Sequence, residues 1–100
     1  MKIDFTDCIG DPRTIFIDFT YVPDVSYIHW GELEKGTATV CTISYPGFKH
    51  LNADYAICSE ADTFNKSYGR REALKRALNQ WFFKEERTQI WKQYFNLVKK

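Results

Sequence analysis

The chain has 100 residues, a length that suits one compact domain and is too short for two. A hydrophobic fraction of 44% and an aromatic fraction of 17% exclude an intrinsically disordered chain, and a formal net charge of +1 gives no global attraction to polyanions or membranes. No apolar run is long enough for a transmembrane helix, and the N-terminus lacks the apolar segment of a signal peptide. We therefore predict a single soluble domain over residues 1–100, located in the cytoplasm, with no membrane contact.

Residues 1–60 are predicted to form mainly β-strands. Alternation in the second strand places Ile15, Ile17 and Phe19 on one face, and Pro23 after it cannot donate to a ladder and is expected to end it. A short loop ending at Gly36, with the glycine at positive φ, is expected between the third and fourth strands. Five strands are predicted in all, over residues 2–8, 13–22, 27–33, 37–45 and 54–59.

Residues 66–98 are predicted to be helical because two apolar stripes recur at helical spacing. The stripes consist of Ala73, Leu74, Ala77, Leu78, Trp81 and Phe82, and of Ile90, Trp91, Tyr94, Phe95 and Val98. A polar segment, residues 84–88, separates the two stripes. Because no glycine or proline forces a break in the helix there, the pattern fits either two helices or one bent helix. The sequence thus predicts an α+β domain, an antiparallel sheet followed by two C-terminal helices packed on one face of it.

Charge is divided unevenly along the chain. Residues 1–65 carry four basic and ten acidic side chains, a net −6, whereas residues 66–100 carry ten basic and three acidic ones, a net +7. The first predicted helix bears a basic ridge of Lys66, Arg70, Arg71, Lys75 and Arg76, and Arg71, Lys75 and Asn79 share one exposed face. Such a ridge can contact phosphates or an acidic protein surface, and the alternative is a solvated face that complements the acidic strands of the same domain.

Aromatic side chains are too numerous for two short helices to bury. The groups 81–83 and 91–95 cannot all point inward, so some of Phe83, Trp91 and Tyr94 are expected to be exposed or buried against a partner, because interfaces are enriched in aromatic residues and arginine. Phe83 and Trp91 are the candidates for partner contact. A homodimer would use the same surface. The alternative is a small core built from large side chains.

The three cysteines form neither a disulfide framework nor a zinc site, because their number is odd and their spacing is wide. We expect Cys8, Cys41 and Cys58 to be reduced and structural, with a reactive thiol or an adventitious disulfide as the alternative. A nucleophilic arrangement of Cys41, His50 and Asp54 can be drawn, but Cys41 lies in an apolar strand. With no phosphate loop or metal-ligand cluster in the sequence, we predict no enzyme, no cofactor and no metal.

Residues 56–78 combine three features in order: a predicted strand, the motif Asp62-x-Phe64-x-Lys66-x-x-Gly69-Arg70, and a predicted helix that contains Ala-Leu and Arg-Ala-Leu. This stretch, under a quarter of the chain, resembles a pattern found in small phage and prophage proteins. The resemblance implies a phage or mobile-element origin and expression in a bacterial cytoplasm. Within the stretch we expect Asp62 to cap the helix, Phe64 to pack against it, and Gly69 to permit its tight entry.

Three functional hypotheses follow. The first is a non-enzymatic phage-type accessory protein that binds a bacterial host protein, either a nucleic-acid-handling protein or a defence complex, and inhibits or redirects it. The second is direct nucleic-acid binding by the basic first helix, and the third is a small enzyme that uses Cys41 or a histidine. Arg70 and Arg71 are the first candidates for binding because bases near a helix N-terminus oppose the helix dipole. The full set of candidate binding residues is Lys66, Arg70, Arg71, Lys75, Arg76, Asn79, Phe83 and Trp91.

Overall fold

The structure is a computed structural model that describes residues 1–47, 51–59 and 65–98. One antiparallel sheet has the strand order β1-β2-β3-β4, with β1 (Lys2–Thr6), β2 (Pro12–His29), β3 (Glu32–Ser44) and β4 (Leu51–Ser59). Two helices follow, α1 (Lys66–Trp81) and α2 (Lys84–Val98). The α+β prediction is confirmed, with four strands rather than five.

The predicted break at Pro23 is wrong because β2 continues through it. The register with β3 shifts between Val22 and Val25, and Asp24 has a φ of 55°. Proline is tolerated at such a bulge because the bulged residues leave the hydrogen-bond ladder. The predicted second strand and residues 27–29 of the predicted third strand therefore belong to one long strand, whereas residues 30–33 form the turn and the start of β3.

The turn between β2 and β3 also differs from the prediction. It consists of Trp30 and Gly31, with φ values of 54° and 80°, the two positive values of a type I′ turn. Gly36 instead lies within β3, where a Cβ would be 2.1 Å from the carbonyl oxygen of Cys58 on β4. Glycine is needed at position 36 for this close approach of two backbones, not for a positive φ.

One face of the sheet packs against both helices, as the alternation predicts. α1 lies over β3 and β4, whereas α2 contacts β1. The break between the helices falls at Phe82 and Phe83, and the polar segment 84–88 forms the first turns of α2. The buried core consists of Ile3, Phe5, Ile15, Ile17, Cys41, Ile43, Ala56, Ala73, Leu74, Ala77, Leu78, Phe82, Ile90 and Tyr94, with Phe19 partly buried against it.

Side chains of the two helices bond to both edges of the sheet. On α2, Gln89 donates from Nε2 to the Thr6 carbonyl at 2.8 Å and accepts from the Thr6 N–H at 2.9 Å. Gln93 on the next turn donates to the Asp4 carbonyl. At the other edge, Arg76 Nη1 donates to the Tyr55 carbonyl at 3.0 Å. These bonds use backbone groups that an edge strand otherwise leaves open to pairing with another chain.

Glu86 joins the start of α2 to the segment after β1. The residue is 6% exposed, and its carboxylate accepts from the Phe83 N–H at 2.9 Å and from the Cys8 N–H at 3.2 Å. A glutamate that reaches back to the N–H at the start of its own helix is one half of a capping box. Because its second oxygen accepts from Cys8, the same side chain also joins the start of α2 to the segment that follows β1.

Candidate binding groove

The two helices flank a shallow groove lined by Tyr68, Arg71, Glu72, Lys75, Trp91 and Phe95, which we call the helical groove. Its volume is about 270 Å³, at the small end of the range for ligand pockets. A groove of this size suits one aromatic ring or one nucleobase rather than a large ligand.

The wall on α2 is aromatic. Trp91 and Phe95 lie on successive turns with their rings stacked, at a centroid distance of 5.5 Å and an interplanar angle of 22°. Behind them, the buried ring of Tyr94 meets the Trp91 ring edge to face at 5.6 Å. Because Tyr94 is part of the core, the stacked pair rests on a rigid support.

The wall on α1 is basic. Arg71 and Lys75 are exposed one turn apart, and no carboxylate of the described residues lies within ion-pair distance of either. The first turn of α1 has no acidic residue that would offset the charge of these bases. Glu72 supplies the single negative charge of the lining.

Three other bases of the predicted ridge lie elsewhere. Lys66 Nζ is 5.1 Å from the centroid of the Tyr21 ring, a cation–π contact, and Arg76 is bonded to β4. Arg70 is half-buried, and its Nε has no hydrogen-bond partner within the described part of the chain. Burial raises the pKa of Tyr94, an effect that the positive charges of Arg70 and Arg71 partly offset. The predicted ridge is therefore divided, and two of its five bases line the groove.

The remaining candidates have different surroundings. Trp91 lies in the groove, whereas Asn79 is exposed on α1 and Phe83, 63% exposed, precedes α2, both outside the lining. Sequence reasoning missed Tyr68 and Phe95 as lining residues. Both were detectable, since each lies about one helical turn from a candidate that was identified.

The start of α1 corrects one prediction and leaves two outside the described residues. Asn65 is the N-cap, and its side chain accepts from the Tyr68 N–H at 3.0 Å. Gly69, predicted to permit the entry into the helix, is instead buried inside the helix. The roles predicted for Asp62 and Phe64 fall outside the described residues.

A second exposed surface lies at the end of the β2–β3 hairpin. The side chains of Ile28, Trp30 and Leu33 are 73%, 91% and 72% exposed, and we call residues 28–33 the hairpin tip. Ile28 and Leu33 are cross-strand partners. Glu34, beside the tip, accepts from the Tyr27 hydroxyl at 3.1 Å. The alternation predicts a strand over residues 27–33, and the structure has a turn with exposed apolar side chains there instead.

The cysteines do not form a reactive centre in the described structure. Cys8 is exposed, Cys41 is buried, Cys58 is partly buried, and all three are free. Burial raises the pKa of the Cys41 thiol to about 12, and Asp54 adds to the effect, so this thiol stays protonated at neutral pH. His50 of the imagined triad lies outside the described residues, which also contain no group of three or more His, Cys, Asp or Glu side chains that could hold a metal ion.

Comparison of the chain with protein-family models, with curated proteins and with solved structures found no match. Within the described residues, no helix has the length and apolar character that a membrane span requires.

Proposed function

We propose that this chain is a non-enzymatic accessory protein of phage type whose helical groove binds a bacterial nucleic-acid-handling protein or defence complex and inhibits or redirects it. One observation carries the proposal: Arg71 and Lys75, which have no carboxylate partner among the described residues, face the stacked rings of Trp91 and Phe95 across the groove. Arginine and large aromatic residues are the side chains that most often dominate the binding energy of protein interfaces. A partner would supply a carboxylate to the bases and an apolar or planar group to Trp91.

The number of available bases favours a protein partner over nucleic acid. Non-specific nucleic-acid binding depends on several phosphate contacts along a track. In this fold Lys66 and Arg76 are exposed but directed to Tyr21 and to the Tyr55 carbonyl, and Arg70 is half-buried, which leaves two bases in the groove. Two bases suit an acidic spot on a protein better than a phosphate backbone.

Direct binding of single-stranded nucleic acid is the second candidate. The stacked pair of Trp91 and Phe95 beside two bases favours it, because aromatic platforms next to positive charge are the usual means of holding unpaired bases. In that case affinity would fall steeply with salt, as counterion release requires.

Affinity capture from a bacterial lysate tests the proposal, with and without nuclease. We expect a stoichiometric protein that survives nuclease and is lost with the double variant R71A/K75A, whose melting temperature should stay within a few degrees of the wild type because both residues are exposed. The matched control is K84A/K92A, which removes the same charge from exposed positions of α2 outside the groove.

Other outcomes separate the candidates. Nuclease-sensitive capture together with recovered nucleic acid favours the second candidate. Capture by R71A/K75A equal to that of the wild type contradicts the groove assignment, and a large loss of melting temperature in this variant contradicts its being a surface site.

A further inference from the structure

The hairpin tip places a large apolar residue where local structure disfavours it. The first position of a type I′ turn takes Asn, Asp or Gly, because a bulky side chain at positive φ is strained, yet Trp30 occupies it with a φ of 54°. Its side chain is 91% exposed, and the ring of the adjacent His29, at a centroid distance of 5.8 Å, gives it little cover. A tryptophan in this position points to a contact with another molecule.

The charges around the tip define what that molecule must offer. Within residues 24–35, Asp24 and Glu32 are exposed and Glu34 is partly exposed, with His29 Nδ1 3.6 Å from the Glu34 carboxylate. Lys35 is the one lysine or arginine of this segment. This acidic surround disfavours nucleic acid and anionic lipid as occupants. The tip requires a small site with aromatic or apolar walls and positive charge.

The helical groove of the same chain has these properties. Trp91 and Phe95 form an aromatic wall, Arg71 and Lys75 supply positive charge, and the volume of about 270 Å³ suits a single ring. We propose that the chain self-associates, with the hairpin tip of one copy seated in the helical groove of a second copy. The inference uses the groove of the proposed function, so a second copy and the host partner compete for one surface.

The position of the tip allows both copies to make this contact at once. β1 pairs with β2 only as far as Phe16, and β4 pairs with β3 from Gly36 onward, so the end of the hairpin extends beyond the rest of the sheet. Ile28 and His29 of the hairpin border the same cavity as Tyr68, which also lines the groove. Tip and groove therefore lie on one side of the molecule, an arrangement that permits a closed two-fold dimer with two identical contacts.

Charge reversal with complementation tests the proposal. The tip variant is Glu32→Lys, chosen because Glu34 is bonded to Tyr27 within the hairpin, and the groove variant is Arg71→Glu. We expect the wild type to sediment as a concentration-dependent dimer that weakens with salt. Each reversal alone should weaken association roughly fivefold to tenfold, and an equimolar mixture of the two should restore a dimer of one copy of each.

Removal of the apolar anchor is the second arm. Trp30→Ala should weaken each contact roughly thirtyfold, the range of an interface hot spot, and therefore the closed dimer with its two contacts by up to about a thousandfold. The melting temperature of the monomer should be unchanged because the side chain makes no core contact. The matched control is Lys92→Glu, which makes the same reversal of charge as Arg71→Glu but at an exposed position of α2 outside the groove. This variant should leave the dimer intact.

The outcomes separate this inference from the proposed function. A wild type that stays monomeric up to several hundred micromolar, or a dimer that survives Trp30→Ala, overturns the self-association. A monomer that still captures a host protein through Arg71 overturns it and leaves the proposed function standing. A complementing dimer that captures no host protein supports the self-association and counts against the proposed function.

Discussion

Replacing Glu86 with alanine removes the carboxylate whose two oxygens accept from two backbone N–H groups. The Phe83 and Cys8 N–H groups donate to its two oxygens at 2.9 and 3.2 Å, and the side chain is almost fully buried. A hydrogen bond to a charged group contributes about 1.5–3 kcal/mol. Since both donors lie near the surface and can partly rehydrate, we expect a combined loss of about 3 kcal/mol of unfolding free energy, or roughly 12–24 °C in melting temperature.

Urea unfolding and calorimetry measure this loss directly. The matched control is Glu85→Ala, which removes the same charge from the same helical turn but from an exposed side chain, and should cost about 0.3–1 kcal/mol through the helix dipole alone. Glu86→Gln keeps one acceptor and should fall between the two. If Glu86→Ala unfolds no earlier than Glu85→Ala, the two bonds do not stabilise the junction and the reasoning is wrong.

Three further predictions concern the sheet, the thiols and acid. Gly36→Ala should destabilise the protein by about 1–3 kcal/mol in urea unfolding because its Cβ would meet the Cys58 carbonyl, whereas Lys35→Ala at the exposed neighbour should be nearly neutral. With a pKa of about 12, roughly one Cys41 thiol in ten thousand is ionised at pH 8, so a thiol reagent should label Cys8 in the native state and reach Cys41 only after unfolding. The hydrogen bond from Arg13 lowers the pKa of Asp7 below 3.8, so its contribution to stability is present above pH 3.8 and is lost as the pH falls through the lower folded-state value. Asp7→Asn should remove that step from the acid dependence of the urea midpoint, and a persisting step would show that another carboxylate causes it.

The strands and helices were predictable where side-chain periodicity alone determines them. Ile15 and Ile17 lie in the core as alternation predicts, and the helical stripes predict both helices. The turn at Trp30 was not predictable from turn chemistry, because tryptophan is not a residue that favours positive φ. Pro23 has two outcomes in a strand, an end or a bulge, and the register with a distant strand decides between them.

The candidate site was predictable in its parts but not in its assembly. The spacing of Arg71 and Lys75 correctly predicts an exposed pair on one helix face. Their position opposite Trp91 depends on how α1 and α2 are seated on the sheet, which no local pattern specifies. The hydrogen bond from Arg76 to the β4 backbone could not be predicted from the sequence either, because it depends on which strand forms the edge of the sheet.

The bonds from α2 to the edge of β1 have a consequence for synthesis on the ribosome. Gln89 and Thr6 are 83 positions apart. At a synthesis rate of about 5–20 residues per second, Gln89 is therefore added roughly 4–17 s after Thr6, the residue on the edge of β1 to which it bonds. During that interval the nascent meander exposes unpaired N–H and C=O groups along β1. The fold can therefore be completed only when the last helix has left the ribosome, and a chain truncated before α2 should be prone to associate through that edge.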